Sequence, residues 1–220
     1  MPNSIEVTNA SVARLYNLLK NDKKVRKINE IFYSLQGEGA NTGVPAVFVR
    51  FSGCNLRCAF CDTQHESGLM MTDEEICSEI NRYPQARLIV LTGGEPSLFI
   101  DESFVAMLKA TTGKTVTIET NGTHELPDNI DWVTFSPKEG FDGGNAHKPL
   151  LTKCDELKVV YNGQPLEPYF AYEAKHRFLQ PCYCDDKAQR DANLAATIEA
   201  VLGDSRWRLS LQTHRIAGIR

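Results

Sequence analysis

Three cysteines crowd the stretch Cys54-Asn55-Leu56-Arg57-Cys58-Ala59-Phe60-Cys61, spaced C-x3-C-x2-C and followed at once by Asp62-Thr63. Nothing else constrains the chain so tightly. Three thiolates this close can grip three irons of a cubane iron–sulfur cluster, whereas a structural cluster or a closed zinc site takes four ligands. The fourth iron is then open to a small molecule. A cysteine taken singly is most often a small buried hydrophobe, which fits three at this spacing on a loop poorly. A zinc knuckle would have to borrow Cys154, Cys182 or Cys184, and the later segments argue against it.

Those segments repeat one pattern, an apolar run ending in a polar or glycine-rich tip. Val44 to Phe51 is β-branched and aromatic, reads as a strand, and delivers Arg50 and then Cys54 at its C-terminal end. Thr72-Asp73-Glu74-Glu75 is a capping box that opens a helix running to about Tyr83. A strand over Arg87 to Leu91 ends in Thr92-Gly93-Gly94-Glu95-Pro96, where the glycines permit close backbone approach and Glu95 or exposed carbonyls can accept from an ammonium. Taken alone, that tetrapeptide is also a plain strand-to-helix turn. The rhythm continues with a helix near Asp101 to Thr111 and strands at Thr115 to Glu119, Trp132 to Phe135 and Glu156 to Tyr161. A helix is expected around Glu167 to Lys175 and another over Asp186 to Leu202 with Gly203 as its stop, and Arg206 to Leu211 alternates as a last strand. Repeated βα units with short connections predict an α/β fold with a parallel sheet, curved into a partial barrel or doubly wound, with chemistry at the strand C-termini.

Residues 1–27 carry least information. Val12, Leu15, Leu18 and Leu19 stand near helical spacing, predicting an amphipathic helix laid on a single domain formed by residues 28–220. With 24 Lys+Arg against 28 Asp+Glu the net charge is -4, which excludes the strongly basic face of a nucleic-acid binder and favours a small substrate. No run reaches the roughly 18 apolar residues of a membrane span. The N-terminus has no basic-then-apolar leader, so a cytoplasmic protein is expected, with cysteines that bind metal or stay reduced.

The C-x3-C-x2-C loop resembles the signature of the radical S-adenosylmethionine enzymes, and Gly-Gly-Glu-Pro resembles the motif by which they hold that cofactor's amino group. Leu35-Gln36-Gly37-Glu38-Gly39, Phe48 to Cys54, Cys61-Asp62-Thr63, Glu119-Thr120-Asn121-Gly122, Ser136-Pro137-Lys138 and Leu211-Gln212-Thr213-His214 together resemble the 7-carboxy-7-deazaguanine synthase family, from about residue 28 onward. The resemblance implies a partial TIM-type barrel that converts 6-carboxy-5,6,7,8-tetrahydropterin to 7-carboxy-7-deazaguanine with loss of ammonia, on the way to queuosine and other deazapurines. It implies a 4Fe-4S cluster on Cys54, Cys58 and Cys61, and Mg2+ on Thr63. S-adenosyl-L-methionine would lie on Gly94, Glu95, Ser136, Lys138 and Gln180. The pterin would lie on Gln36, Gly37, Glu38, Arg50, Thr92, Gln212, His214 and the terminal carboxylate of Arg220. A single-electron donor such as flavodoxin and a homodimer are implied as well. Small glycyl-radical-activating enzymes share the cysteine spacing and would act on a protein partner instead. Cys154, Cys182 and Cys184 exceed the family pattern and read as thiols.

Overall fold

The computed structural model describes residues 24–61, 67–139, 141 and 148–220. The helix expected over Ser11 to Leu19 and the metal ligand expected at Thr63 lie outside the described residues. Val25 to Lys27, grouped with the N-terminal extension from the sequence, run in the first strand.

The described strands form one sheet. β1 (Val25–Leu35) lies between β3 (Leu69–Thr72) and β2 (Pro45–Phe51), antiparallel to both. From β2 onward every pairing is parallel, through β4 (Leu88–Gly93), β5 (Thr115–Thr120), β6 (Trp132–Phe135), β7 (Lys153–Tyr161), β8 (Glu173–Pro181) and β9 (Arg208–Leu209). The order is β3-β1-β2-β4-β5-β6-β7-β8-β9, so β3 and β9 are edges and the barrel is incomplete. The parallel sheet expected from the βα rhythm is therefore present, extended at its start by an antiparallel ribbon.

Among the described residues four α-helices accompany it: α1 (Asp73–Asn81), α2 (Glu102–Thr112), α3 (Lys187–Gly203) and the short α4 (Thr213–Ala217). The capping box at α1 forms in full, with Thr72 Oγ1 accepting from Glu75 N–H and the Glu75 carboxylate from Thr72 N–H. α2 starts on the Asp101 side chain and stops at Gly113, which takes the left-handed conformation at φ 66°. Two expectations fail. Glu167–Ala171 is a single 3-10 turn, and Lys175 belongs to β8, because Glu173 to Pro181 pairs in register with Lys153 to Tyr161 and tertiary pairing overrides a weak helical period. Of the strand expected over Arg206 to Leu211, Arg208–Leu209 alone pairs.

Period-two alternation sorts the strands into two faces. Val47, Val49 and Phe51 of β2, Ile89 and Leu91 of β4, and Val116 and Ile118 of β5 pack against Ile76, Ile80, Phe104 and Leu108 of α1 and α2. Each of these large side chains is almost wholly removed from water, a gain on the order of 1.5–3 kcal/mol apiece. The opposite face looks into the barrel. Phe32, Ala46, Phe48, Leu88 and Val90 form an apolar floor there, with Phe32 stacked on Phe48 at 4.9 Å between ring centroids. The next lumen-facing positions toward the strand C-termini are polar: Arg50, Thr92, Glu119, Lys158 and Gln180 all line one cavity.

Candidate active site

The open side of the barrel is bridged by the Gln36 to Thr42 turn. Its Gly39 N–H donates to Ser210 Oγ (3.0 Å), its Ala40 N–H to Glu156 Oε2 (2.9 Å), and its Gly37 carbonyl accepts from Thr213 N–H (2.9 Å). A β-carbon on Gly37 would stand 2.2 Å from His214 Nδ1, and one on Gly39, at φ 66°, 1.9 Å from Glu156 Oε1. Both glycines are thus dictated by other parts of the chain closing on the turn.

The cavity there measures about 240 Å3, and its lining includes Cys54, Cys58 and Cys61 together with Gln36, Glu38, Gln212, His214 and Arg220. All the described residues singled out from the sequence reach it: Gly37, Arg50, Thr92, Gly94, Glu95, Ser136, Lys138 and Gln180 join those eight. They come from the ends of most of the parallel strands, as the barrel architecture requires.

At the cysteine loop, Cys54 Sγ accepts from Leu56 N–H (3.4 Å), and burial pushes its thiol up, with Glu95, Cys58 and Cys61 adding to the effect. A thiol disfavoured as an isolated anion is a suitable donor once a cation neutralises it. Three thiols on one loop, facing one cavity and backed by an N–H donor, fit three irons of a cluster.

The β4 tip packs directly on this loop. Gly94 N–H donates to Phe51 O (3.0 Å) and Glu95 N–H to Gly53 O (2.9 Å), while a β-carbon on Gly93 would meet Phe51 N and O at 2.6 Å. The close approach that the two glycines allow is to the cluster loop itself. Glu95 is 1% exposed, and its carboxylate accepts from Ser97 N–H (3.0 Å), Thr120 Oγ1 (2.6 Å) and Asn121 N–H (2.7 Å). With both oxygens so engaged it fastens the β4 and β5 tips together. Asn121 Nδ2 in turn donates to Asn55 Oδ1 (3.1 Å), tying the cysteine loop to β5.

Also in the lining, Lys158 Nζ lies 2.5 Å from Glu38 Oε2 and 3.5 Å from Glu119 Oε1. Burial opposes ionisation of Glu38, but Lys158, Gln212 and His214 outweigh it and hold the carboxyl at about 2. Gln36 Nε2 donates to Glu119 Oε1 (3.1 Å), Thr92 Oγ1 to Glu119 Oε2 (3.0 Å), and Gln212 Nε2 to Glu38 Oε1 (2.8 Å). Burial, with Lys158 nearby, lowers Lys138, whose ammonium donates to Ser136 Oγ (2.6 Å) and sits 5.5 Å above the Phe60 ring. At the mouth, Glu30 lies across from Arg50, Nε to Oε1 3.3 Å, and also pairs with the Arg220 guanidinium. The Arg220 backbone oxygen accepts from Ser34 Oγ (2.6 Å), which docks Arg220 at the cavity.

Sequence reasoning missed Lys158 and left Glu119, Asn55 and Asn121 without roles. For Glu119 and Lys158 the signal was parity: each is a charged residue at a lumen-facing position of its strand.

A Radical SAM superfamily profile matches residues 48–150. The chain is 56% identical over 196 residues to the 7-carboxy-7-deazaguanine synthase of Bacteroides thetaiotaomicron, covering 89% of this chain and 100% of that relative. To the synthase of Caulobacter vibrioides it is 37% identical over 216 residues, covering 87% and 98%. The crystal structure of QueE from Escherichia coli matches with a TM-score of 0.69 at 30% identity, over 89% of this chain and 97% of that one. Membership of the superfamily implies a 4Fe-4S cluster and S-adenosyl-L-methionine. Near-complete coverage and the shared partial barrel together mean that the chain belongs to the 7-carboxy-7-deazaguanine synthase family of radical S-adenosylmethionine enzymes.

Proposed function

We propose that the protein converts 6-carboxy-5,6,7,8-tetrahydropterin to 7-carboxy-7-deazaguanine, a lyase-type ring contraction with release of ammonia in queuosine and deazapurine biosynthesis. The observation that carries this is that one cavity is lined both by Cys54, Cys58 and Cys61 and by a set of carboxylates and amides. The bound cluster and S-adenosyl-L-methionine supply a 5'-deoxyadenosyl radical.

What the chain's own residues contribute is placement. Cys54, Cys58 and Cys61 hold the cluster. The Gly93 and Gly94 carbonyls, Ser136, Lys138 and Gln180 hold the cofactor, with Glu95 fixing the tip that presents them. Arg50 offers a planar fork to the substrate carboxylate. Glu38 accepts from the guanidine-like edge of the pterin, assisted by Gln36, Gly37, Thr92, Gln212, His214 and Arg220. Mg2+ on Thr63, a flavodoxin-type electron donor, a homodimer, an N-terminal extension ahead of residue 28 and a cytoplasmic location complete the reading. Among the described residues no helix is long and apolar enough to cross a membrane.

The test is anaerobic reconstitution to about four irons and four sulfides per chain, followed by reductant, S-adenosyl-L-methionine, Mg2+ and the carboxy-tetrahydropterin. The deazaguanine acid is the expected product. A loaded enzyme that cleaves S-adenosyl-L-methionine yet yields none of it overturns the assignment, and would point to a protein substrate.

A further inference from the structure

Lys158 has no role in the reading above, although it lies at the centre of the polar wall. It is 5% exposed and reaches the cavity from β7 with its ammonium between Glu38 and Glu119. Each carboxylate is also held at its other oxygen, Glu38 by Gln212 (2.8 Å) and Glu119 by Thr92 (3.0 Å). Gln36 links the pair, donating to Glu119 and accepting from Glu38 N–H (3.2 Å). The third nearby carboxylate, Glu156, is turned to Ala40 N–H. The other cavity lysine, Lys138, is committed to Ser136 beside Phe60.

Resting on the pterin reading, we propose that Lys158 is a positioning residue that holds the Glu38 and Glu119 carboxylates side by side as a matched pair of acceptors. Through them it sets the preference for a flat ring edge bearing several N–H donors, such as a cyclic guanidine. An ammonium has three donors and can bridge two carboxylates while leaving lone pairs on each for the ligand. Without it the two partly buried carboxylates face each other with no cation between them, and like charges so placed repel and lose their shared alignment. Burial works against the charge on Lys158, yet Glu119, Glu38 and Glu156 outweigh it and raise the lysine above its ordinary value.

The test compares wild type with Lys158→Met in the full, reconstituted enzyme. Activity is measured on the carboxy-tetrahydropterin and on an analogue lacking its 2-amino group, and S-adenosyl-L-methionine binding is read from the cluster's electron paramagnetic resonance spectrum. The expected result is a KM for the pterin raised about tenfold or more, in line with the loss of charge-assisted hydrogen bonds. The kcat/KM ratio between pterin and analogue should collapse toward one, while the cofactor-induced spectral change persists. An unchanged ratio overturns the proposal. Lys158→Gln is read the same way should the Met variant not fold, and failure of both to fold or to bind the cofactor makes the lysine structural and also overturns it. Wild type inactive on the pterin instead sinks the functional reading, so the two failures are separable.

Discussion

A β-carbon added to Gly94 would stand 1.9 Å from the carbonyl oxygen of Gly53. Real β-carbons do not come that close, so Gly94→Ala must push the β4 tip off the residue that opens the cysteine loop. The two hydrogen bonds joining them, Gly94 to Phe51 and Glu95 to Gly53, would lengthen or break. The variant should fold, because the damage lies at a strand end and the packing of β4 on α1 and α2 is untouched. It should lose most of its capacity to retain a cluster after reconstitution. Iron and sulfide content per chain, set beside far-ultraviolet circular dichroism, checks this; a variant that keeps a full cluster would show that the contact does not shape the loop.

Glu95→Gln should lower stability while leaving the cysteines in place. The carboxylate meets three donors and offers only acceptors; an amide replaces one oxygen with an NH2 that would face Ser97 and Thr120 or Asn121. Leaving a buried donor unsatisfied costs about 1–3 kcal/mol, and each kcal/mol shifts Tm by roughly 2–4 °C in a chain of this size. Thermal unfolding of wild type and variant, both reconstituted, is the measurement, and an unchanged Tm contradicts the buried network.

Much of this site was legible from residue order because the barrel places strand C-termini together, so tips such as Thr92-Gly93-Gly94 and Ser136-Pro137-Lys138 had to converge wherever the sheet curved. The reason for particular residues was less legible. Gly37 is small to admit His214, and Gly93 and Gly94 to admit the Phe51 to Gly53 segment, contacts between segments far apart in sequence that no local motif encodes. Lys158 escaped notice because a lysine inside a strand reads as an exposed edge until the neighbouring strands bury it. The weak helical period over Glu167 to Lys175 lost to the register of β8 on β7, a competition that also depends on partners distant in the chain.

Cys154, outside the cavity among Phe135, Leu157 and Trp207, should be chemically silent in the folded protein. Burial pushes its thiol to about 12, and the nucleophile is the thiolate. At pH 8 iodoacetamide should therefore label Cys154 only after urea unfolding, as read by peptide mass spectrometry. Rapid native-state labelling would mean that this core opens.

Glu38 ties acid stability to the same wall that Lys158 organises. Its carboxyl is lowered from 4.5 to about 2 in the folded chain, burial notwithstanding, because Lys158 and Gln212 favour the anion. A depressed folded-state value means the unfolded chain binds the proton more readily, so the contribution is fully present above about pH 4.5 and fades as pH falls toward 2. Glu38→Gln removes the titration. The stability gap between wild type and Glu38→Gln, measured by urea unfolding of the cluster-free proteins, should thus be widest near neutral pH and shrink steadily between pH 4.5 and about 2. A gap independent of pH across that window would mean that the Glu38 carboxylate is not held ionised by Lys158, and the pairing on which the polar wall depends would have to be abandoned.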